Sequence, residues 1–385
     1  MNRDSPAGAL PGRYTIANEV YVDPRYLELE MERIFGRSWV FVAHESELPH
    51  PGDFITTTVG NTPLVVVRRQ DGGVDALLNV CPHRAATVVR EPSGHAKAFT
   101  CLFHHWVFDT TGRCLSITQP DGYADAGLGT GDFGLRAYRA EQLHGLVFVT
   151  LAPDAPPLAD YLGHALDGVA EVLDTRPLEV FHFHRIEVAA NWKLWAATNV
   201  ELYHVWLHSL NRASSLKSAA WLERALLPFP NGHVAFAPAA HDYRQSELDA
   251  RDLTLPGLAP NEARIAHIFP DLLVNVRASC LRLDRLVPLG PDRVLVECRG
   301  LGILGEPEED RRRRVQDHNQ FWGPFGRNVP EDALATTAQM RAMQSGTLRH
   351  SVVAREAGSA PAVSDESLRH FHAEWCRRLG LEQGA

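Results

Sequence analysis

The stretch from Cys81 to Trp106 begins with Cys-Pro-His-Arg and ends with Cys-Leu-Phe-His-His-Trp. Each end of this stretch, here called an arm, offers one cysteine and one histidine: Cys81 with His83, and Cys101 with His104. A common zinc finger instead takes its two cysteines from one turn and its two histidines from another. One thiolate and one imidazole per arm suit a two-iron cluster in which the cysteines bind one iron and the histidines bind the other. A closed zinc site of mixed ligands is the alternative.

The composition is that of an ordinary folded protein. The chain has 385 residues, of which 45% are hydrophobic and 22% are charged, and this length predicts two domains with sizeable cores. A net charge of −9 gives no general attraction to nucleic acid or to an anionic membrane. Neither a signal peptide nor an apolar run long enough to span a bilayer is evident. The six cysteines show no pairing pattern, so we expect a cytoplasmic protein.

The first 155 residues change from helical to β-type patterning. Apolar residues at helical spacing predict a helix over 24–35, within a segment 1–40 that is expected to pack on the larger domain. Short β-type runs then predict a small antiparallel β domain over 41–155, whose loops carry both arms. The runs lie at 54–59, 63–67, 74–80, 135–138 and 146–151.

Residues 156–385 are predicted to form a larger α+β domain. A helix over 158–173 is followed by β-type runs and then by long helical patterns. The β-type runs lie near 181–184, 233–236, 272–276, 280–287 and 294–298, and the later helices over 307–325, 330–343 and 365–379.

A second group of metal-binding residue types lies between Asn199 and His208, in a segment that begins helically at Trp192. If the helix continues, Glu201, His204 and His208 share one face, because residues three and four apart are neighbours on a helix. Two histidines and one carboxylate are the ligand set of non-haem Fe(II) oxygenases. Glu201 is either that carboxylate or an outer partner of one of the histidines.

The two groups together resemble a known family. The arms resemble the Rieske [2Fe-2S] motif, and Glu201, Tyr203, His204 and His208 resemble the iron-binding segment of Rieske non-haem iron ring-hydroxylating oxygenases, in their alpha or terminal oxygenase subunit. The resemblance implies a mononuclear Fe(II) bound by His204, His208 and an aspartate late in the chain. Asp332, which follows Pro330-Glu331 and precedes Gln339, is similar to that aspartate.

The resemblance also implies roles, partners and an assembly. Glu201 would bridge an iron-binding histidine to His104 of the partner subunit in a homotrimer, and the larger domain would be of helix-grip type. No nucleotide-binding fingerprint is present, so electrons from NAD(P)H would arrive through a separate reductase or ferredoxin. Some family members also have a small beta subunit.

Three activities follow from these patterns. The resemblance implies O2-dependent monohydroxylation or cis-dihydroxylation in the catabolism of aromatic compounds. A glutamate at position 201 is also similar to oxygenases of quaternary ammonium compounds such as carnitine, while a Rieske electron carrier without oxygenase activity is an alternative of another class. Pocket residues are expected between Leu202 and Trp221 and between His233 and Leu301, where an apolar lining would favour aromatic compounds and an aromatic cage would favour a cation.

One departure from the family concerns the backbone. The second arm has Leu102, Phe103 and His105 where the family usually has Pro, Tyr and Gly. A histidine in place of glycine leaves open whether the tight backbone turn beside the cluster is kept.

Overall fold

The computed structural model describes residues 14–208, 222–240, 253–259, 262–358 and 360–381. Residues 35–158 form one compact unit, here called the small unit. The described residues before 35 and after 158 form the other, the large unit. The sequence placed the limits of the first domain at 41 and 155.

The described chain begins with elements of the large unit: strand β1 (Thr15–Ala17) and helices α1 (Glu19–Val22) and α2 (Pro24–Glu30). The Asp23 carboxylate accepts the Arg25 N–H at 2.9 Å and so caps α2, whose first residue is a proline. A π-helical turn over Met31–Phe35 continues α2. The predicted helix over 24–35 is therefore confirmed.

The small unit consists of two antiparallel sheets. Its strands are β2 (Val40–His44), β3 (Asp53–Val59), β4 (Thr62–Arg68), β5 (Val74–Leu78), β6 (Ser93–His95), β7 (Ala98–Thr100), β8 (Val107–Asp109), β9 (Cys114–Ser116), β10 (Ala137–Leu143) and β11 (Leu146–Thr150). The larger sheet has the order β2-β11-β10-β5-β4-β3-β6, and the smaller has the order β7-β8-β9. The first arm lies between β5 and β6, and the second between β7 and β8. Both arms are therefore loops held by hydrogen-bonded strands, as predicted.

The large unit is built on a seven-stranded antiparallel sheet of its own. Its remaining elements are α3 (Leu158–Leu162), α4 (Asp167–Asp174), β12 (Leu178–Val188), α5 (Trp192–Val200), β13 (Leu226–Pro228), β14 (Val234–Ala240), β15 (Glu262–Ile268), β16 (Leu272–Arg277), β17 (Cys280–Gly290), β18 (Arg293–Ile303), α6 (Glu308–Trp322), α7 (Asn328–Gln344), β19 (His350–Val352) and α8 (Glu366–Leu379). The seven-stranded order is β12-β18-β17-β16-β15-β14-β13, and β1 pairs with β19. The predicted α+β class, with an antiparallel sheet and long helices, is confirmed.

The predicted single helix over 158–173 is wrong. The structure has α3 and α4 there, and Gly163 directly after α3 has a φ of +51°. A left-handed residue ends a right-handed helix, and glycine adopts that conformation at little cost.

The register of the large sheet brings several polar side chains to one face. Asn275 on β16 lies opposite Arg282 on β17. Directly opposed residues in an antiparallel pair point to the same side, and so do residues two apart along a strand. Arg277 and Asp284 therefore share this face, which faces α6, because the Arg277 and Arg282 guanidinium groups lie over the Trp322 ring.

A buried carboxylate fixes the helix that leads to the second metal-binding group. Glu30 is fully buried and accepts hydrogen bonds from the Lys193 ammonium at 2.5 Å and from the indole N–H groups of Trp192 and Trp375, each at 2.7 Å. These contacts join α2, α5 and α8. The three donors hold α5 in place. Without them, the Glu30 carboxylate would be a buried charge with no partner among these helices.

No helix in the described ranges has both the length and the apolar composition needed to cross a bilayer.

Candidate metal centres

The two arms have the same backbone hydrogen bonds. In the first arm, the Cys81 N–H donates to the Ala86 carbonyl at 2.8 Å, and the Ala85 N–H donates to the Cys81 carbonyl at 2.9 Å. Cys101 makes the same pair of bonds with the residues five and four positions after it, at 2.8 and 2.9 Å. Each cysteine is thus held in an equivalent tight turn.

The tight turn is kept although the second arm has no glycine. Ala85 and His105 occupy the fourth position after their cysteines, and each has a φ of +58°. The histidine at position 105 therefore keeps the tight backbone turn, which the sequence alone had left open. Left-handed backbone is unfavourable for residues with a Cβ atom, so both arms store a small amount of strain beside the candidate cluster site.

We expect His105→Gly to stabilise the small unit by about 0.5–1 kcal/mol, because glycine adopts a positive φ without a Cβ clash. The measurement is the temperature at which the visible absorbance of the cluster is lost. Ala85→Gly should give a similar gain, whereas Ala86→Gly, at a residue without positive φ, should lower that temperature. A loss of stability in His105→Gly would contradict this account of the turn.

The four side chains of the arms meet in like pairs. The Cys81 and Cys101 thiols are in hydrogen-bond contact with each other. The His83 and His104 rings lie 4.4 Å apart between centroids at an interplanar angle of 74°. Both cysteines are buried and both histidines are half-buried. This division places two thiols on one side and two imidazoles on the other, which is the donor set of a two-iron cluster with mixed ligands.

The surroundings of His83 fit a metal ligand. Its Nδ1 atom is buried and has no hydrogen-bond partner among the described residues, while its Nε2 atom lies 3.3 Å from the Tyr123 hydroxyl oxygen. The ring stacks on Trp106 at 4.8 Å with an interplanar angle of 9°. Burial, followed by the neighbouring His104, lowers the pKa of His83 and favours the neutral form that binds metals. A ring held at one nitrogen leaves the other available as a ligand.

The predicted continuous helix through Glu201 and His208 is wrong. Helix α5 ends at Val200, Glu201 is extended, and a 3-10 turn covers Tyr203–Trp206. The Glu201 carboxylate accepts the N–H of Tyr203 and, at 3.2 Å, that of His204. These bonds cap the new turn and separate it from α5, because a side-chain acceptor at this point competes with continuation of the helix. The two histidines still converge, from the turn rather than from a helix face.

His204, His208 and Asp332 come together around one point. The Asp332 Oδ1 atom lies 3.4 Å from His208 Nε2 and 3.8 Å from His204 Nε2. One ligand atom from each of the three residues lies within 4.8 Å of the others. Asp332 Oδ1 is buried and accepts no hydrogen bond from any described residue. Burial raises the pKa of Asp332 although both histidines oppose this, so a cation between the three groups would stabilise its charged form.

A carboxylate stands behind each of the two histidines. Glu201 Oε1 lies 2.7 Å from His204 Nδ1, and Glu331 Oε2 lies 2.8 Å from His208 Nδ1. Each Nδ1 donates to its carboxylate, so in the neutral ring each Nε2, which is directed at Asp332, has the lone pair that a metal binds. Glu201 thus has the geometry of an outer partner. The role of Glu331 was missed by sequence reasoning, and its position directly before Asp332 was the available signal.

Burial and the nearby carboxylates give the two histidines different pKa values. Burial works to lower the pKa of His204, but Glu201 and then Asp332 outweigh it and raise that pKa to about 9. Burial prevails at His208, where the pKa is lowered despite Asp332. The donor set of two imidazoles and one carboxylate fits a non-haem Fe(II) ion with positions left for O2.

The pocket beside these three residues has an apolar part and a charged part. Leu202, Val205 and Ile265 line the apolar part. The charged part contains Arg277 and Arg282. Sequence analysis did not identify these two arginines. The available signal was the presence of polar residues at alternate positions of an apolar strand. All five lie in the ranges predicted to supply pocket residues. The portion 209–221 of the first range lies outside the described residues.

Comparison with known families agrees with both centres. The Rieske [2Fe-2S] domain family matches residues 38–136, and the ring hydroxylating alpha subunit (catalytic domain) family matches residues 175–381. The chain belongs to the Rieske ring-hydroxylating oxygenases. It is a terminal oxygenase alpha subunit, and its cofactors are a Rieske [2Fe-2S] cluster and a mononuclear non-haem iron. Alpha subunits of this family work with ferredoxin or reductase partners.

Two relatives are similar to this oxygenase over nearly their whole length. The alpha subunit of 2-aminobenzenesulfonate 2,3-dioxygenase from Alcaligenes sp is 38% identical, covering 95% of this chain and 93% of the relative. The hydroxylase alpha subunit of methanesulfonate monooxygenase from Methylosulfonomonas methylovora is 36% identical, covering 94% and 90%.

Solved structures share the fold. Naphthalene 1,2-dioxygenase from Rhodococcus sp. bound to indole is 24% identical, with a TM-score of 0.82 over 95% of this oxygenase and 94% of that chain. A quaternary ammonium Rieske monooxygenase is 21% identical, with a TM-score of 0.77 over 98% and 99%. Enzymes with different substrates thus share this architecture, so the substrate has to be argued from the pocket.

Proposed function

We propose that this alpha subunit hydroxylates an aromatic compound, by monohydroxylation or cis-dihydroxylation, with O2 and with electrons that come from NAD(P)H through a partner reductase or ferredoxin. The observation that carries the proposal is the convergence of His204, His208 and Asp332 on one point at a pocket. When bound, the cluster supplies electrons singly and the mononuclear iron activates O2 beside the substrate. The apolar lining of the pocket supports an organic substrate.

The proposed roles of the residues follow from their contacts. Cys81, His83, Cys101 and His104 hold the cluster, with the two thiolates on one iron and the two imidazoles on the other. His204, His208 and Asp332 hold the mononuclear iron. Glu201 and Glu331 orient the two iron-binding histidines by accepting their Nδ1 hydrogens.

We propose a homotrimer in which Glu201 approaches His104 of the partner subunit. The side chain of Glu201 is 15% exposed and the next turn presents Tyr203 at 51%. Beside His104, Leu102 and Phe103 are 50% and 55% exposed, which is unusual for large apolar side chains and typical of a surface that is covered in an assembly. A ring of equal subunits would bring these two surfaces together repeatedly.

Further partners and the location are part of the same proposal. Both similar relatives are named as alpha subunits, which supports a partner subunit of another kind, such as a small beta subunit. We place the enzyme in the cytoplasm, and a reducing compartment is supported by the six cysteines, all within the described residues, none of which forms a disulfide.

The two similar relatives differ in one informative way. One acts on 2-aminobenzenesulfonate and the other on methanesulfonate, so an aromatic ring is present in only one of the substrates, while a sulfonate group is present in both. An aromatic substrate for this chain would therefore most closely match the first relative.

The ratio of iron to acid-labile sulfide in protein purified without oxygen tests the two centres at once. One two-iron cluster and one mononuclear iron per chain require a ratio of roughly 3:2, whereas the cluster alone gives about 1:1. Loaded protein with a suitable reductase should then convert aromatic compounds in an O2-dependent reaction. A ratio of about 1:1 that added Fe(II) does not raise would contradict the oxygenase proposal and favour an electron carrier.

A further inference from the structure

The pocket at the proposed iron site is lined by three polar side chains from the sheet. Asn275, Arg277 and Arg282 are 6%, 9% and 3% exposed and lie on the same face of β16 and β17. Arginine side chains are rarely this buried. On the lining of a pocket, these two are placed where they can contact a substrate as well as their partners within the protein.

The two guanidinium groups are held in fixed positions. Both lie over the buried Trp322 ring of α6, with their central carbons 5.5 Å (Arg277) and 5.0 Å (Arg282) from its centroid. Arg282 also forms an ion pair of 2.9 Å with the fully buried Asp284. Stacking on an aromatic face fixes the plane of a guanidinium group, and a fixed plane is what recognition of a planar or tetrahedral oxyanion uses.

The charges that line the pocket favour an anion. Among the described lining residues, two arginines face a single carboxylate, Asp332, which the proposed iron claims as a ligand. Both arginines line the same pocket as the three proposed iron ligands, His204, His208 and Asp332. An anion bound near them would thus lie close to the reacting centre.

We infer that Arg277 and Arg282, assisted by the Asn275 amide, bind an oxyanion group of the substrate, a sulfonate or a carboxylate, and make this oxygenase selective for anionic substrates. The inference rests on the proposed function, since it concerns the substrate of the same pocket. The apolar lining formed by Leu202, Val205 and Ile265 would receive the organic part of the molecule. The oxyanion would then fix which carbon faces the iron.

The same residues argue against a quaternary ammonium substrate. A quaternary ammonium ion is recognised by several aromatic faces around it. Among the lining residues that the structure describes, Trp322 is the one Phe, Tyr or Trp, and its ring already carries Arg277 and Arg282. A cationic ligand would also be repelled by two guanidinium groups in a site of low dielectric constant.

Calorimetric binding to the anaerobic holoenzyme, loaded with its cluster and Fe(II), tests the inference without turnover. The probes are benzenesulfonate and benzoate, their neutral amides benzenesulfonamide and benzamide, and phenyltrimethylammonium. We expect at least one of the two anions to bind on the order of 100-fold more tightly than its amide, and the cation not to bind. The tighter anion identifies the oxyanion as sulfonate or carboxylate. Equal binding of the anions and the amides, or binding of the cation, would overturn the inference.

Variants assign the effect to the arginines. In Arg277→Met, the Kd of the preferred anion should rise on the order of 100-fold, while that of its amide stays unchanged. Arg277→Lys keeps the charge but loses the bidentate donor, so its Kd for the preferred anion should lie between those of the wild type and Arg277→Met. Arg293→Met is the matched control, because Arg293 lies on β18 of the same sheet with 54% of its side chain exposed. Wild-type affinity for the anion in a folded Arg277→Met protein would refute the role of Arg277.

Failure of this inference can be told apart from failure of the proposed function. Tight binding of an anion without O2-dependent product would contradict the oxygenase proposal and leave the oxyanion site in place. Efficient O2-dependent oxidation of neutral or cationic compounds would contradict the oxyanion site and leave the oxygenase proposal in place. Thermal unfolding and circular dichroism of each variant show whether the large unit has folded.

Discussion

Asp332→Ala is expected to abolish substrate oxidation while the visible spectrum of the Rieske cluster stays unchanged. The variant removes the carboxylate oxygen that lies 3.4 and 3.8 Å from the two imidazole nitrogens, so the mononuclear iron loses a ligand. We expect turnover to fall by more than the roughly 100-fold that loss of an outer partner of a metal ligand can cost. His204→Ala should behave in the same way. Iron content should fall from about three to about two atoms per chain, as for the cluster alone.

Glu331→Gln provides a graded comparison for Asp332→Ala. Glutamine keeps the size of the side chain and an acceptor for His208 Nδ1 but loses the charge. We expect this variant to weaken Fe(II) binding by about 10-fold to 100-fold and to recover when iron is saturating. Full activity in Asp332→Ala or His204→Ala would remove the assignment of these residues to the iron.

With Fe(II) at saturating concentration, Glu201→Gln is expected to keep both metal centres and to lose rapid electron transfer between them. The glutamine oxygen can still accept the two backbone N–H groups that Glu201 Oε2 accepts, so the turn that carries His204 should survive. The amide nitrogen then takes the place of Oε1 beside His204 Nδ1. The lost charge is the one that would link the iron-binding imidazole to His104 of the partner subunit. We expect oxidation of the reduced cluster, in the presence of substrate and O2, to slow by about 100-fold.

Stopped-flow absorbance of the anaerobically reduced protein, mixed with O2 and substrate, measures that rate. Iron-saturated Glu331→Gln is the matched control, because it changes the same type of contact on the other histidine. It should oxidise its cluster far faster than Glu201→Gln. Rapid single-turnover oxidation in Glu201→Gln would refute the bridging role of Glu201.

The sequence was most informative where spacing alone determines geometry. Cys81, His83, Cys101 and His104 lie in short turns whose backbone bonds are local, so their order along the chain was enough to predict how they meet. Many of the strands were also predicted from alternation, whereas β2 and β15 were not. Within these turns, the positive φ values of Ala85 and His105 required the structure, since a histidine at position 105 could equally have signalled an altered turn.

Side-chain contacts, one of them local and the others non-local, explain what the sequence did not reveal. The helix through Trp192 ends because the Glu201 side chain competes for backbone donors, and helical periodicity carries no information about that competition. The contact of Glu331 with His208 joins residues 123 positions apart. In the sequence, Arg277 and Arg282 are charged residues within apolar strands. Only the register of the strands shows that they share a face with Asn275.

The contacts of Glu30 have a consequence for biosynthesis. The large unit is assembled from two separate pieces of chain, and the small unit is contiguous between them. On the ribosome the small unit is complete before Lys193, Trp192 and Trp375, the donors that surround Glu30, have been made. Iron–sulfur assembly can thus precede formation of the substrate pocket. A fragment that starts at residue 159 would contain Lys193 without its counter-ion, so the catalytic half cannot be produced simply by deleting what comes before it.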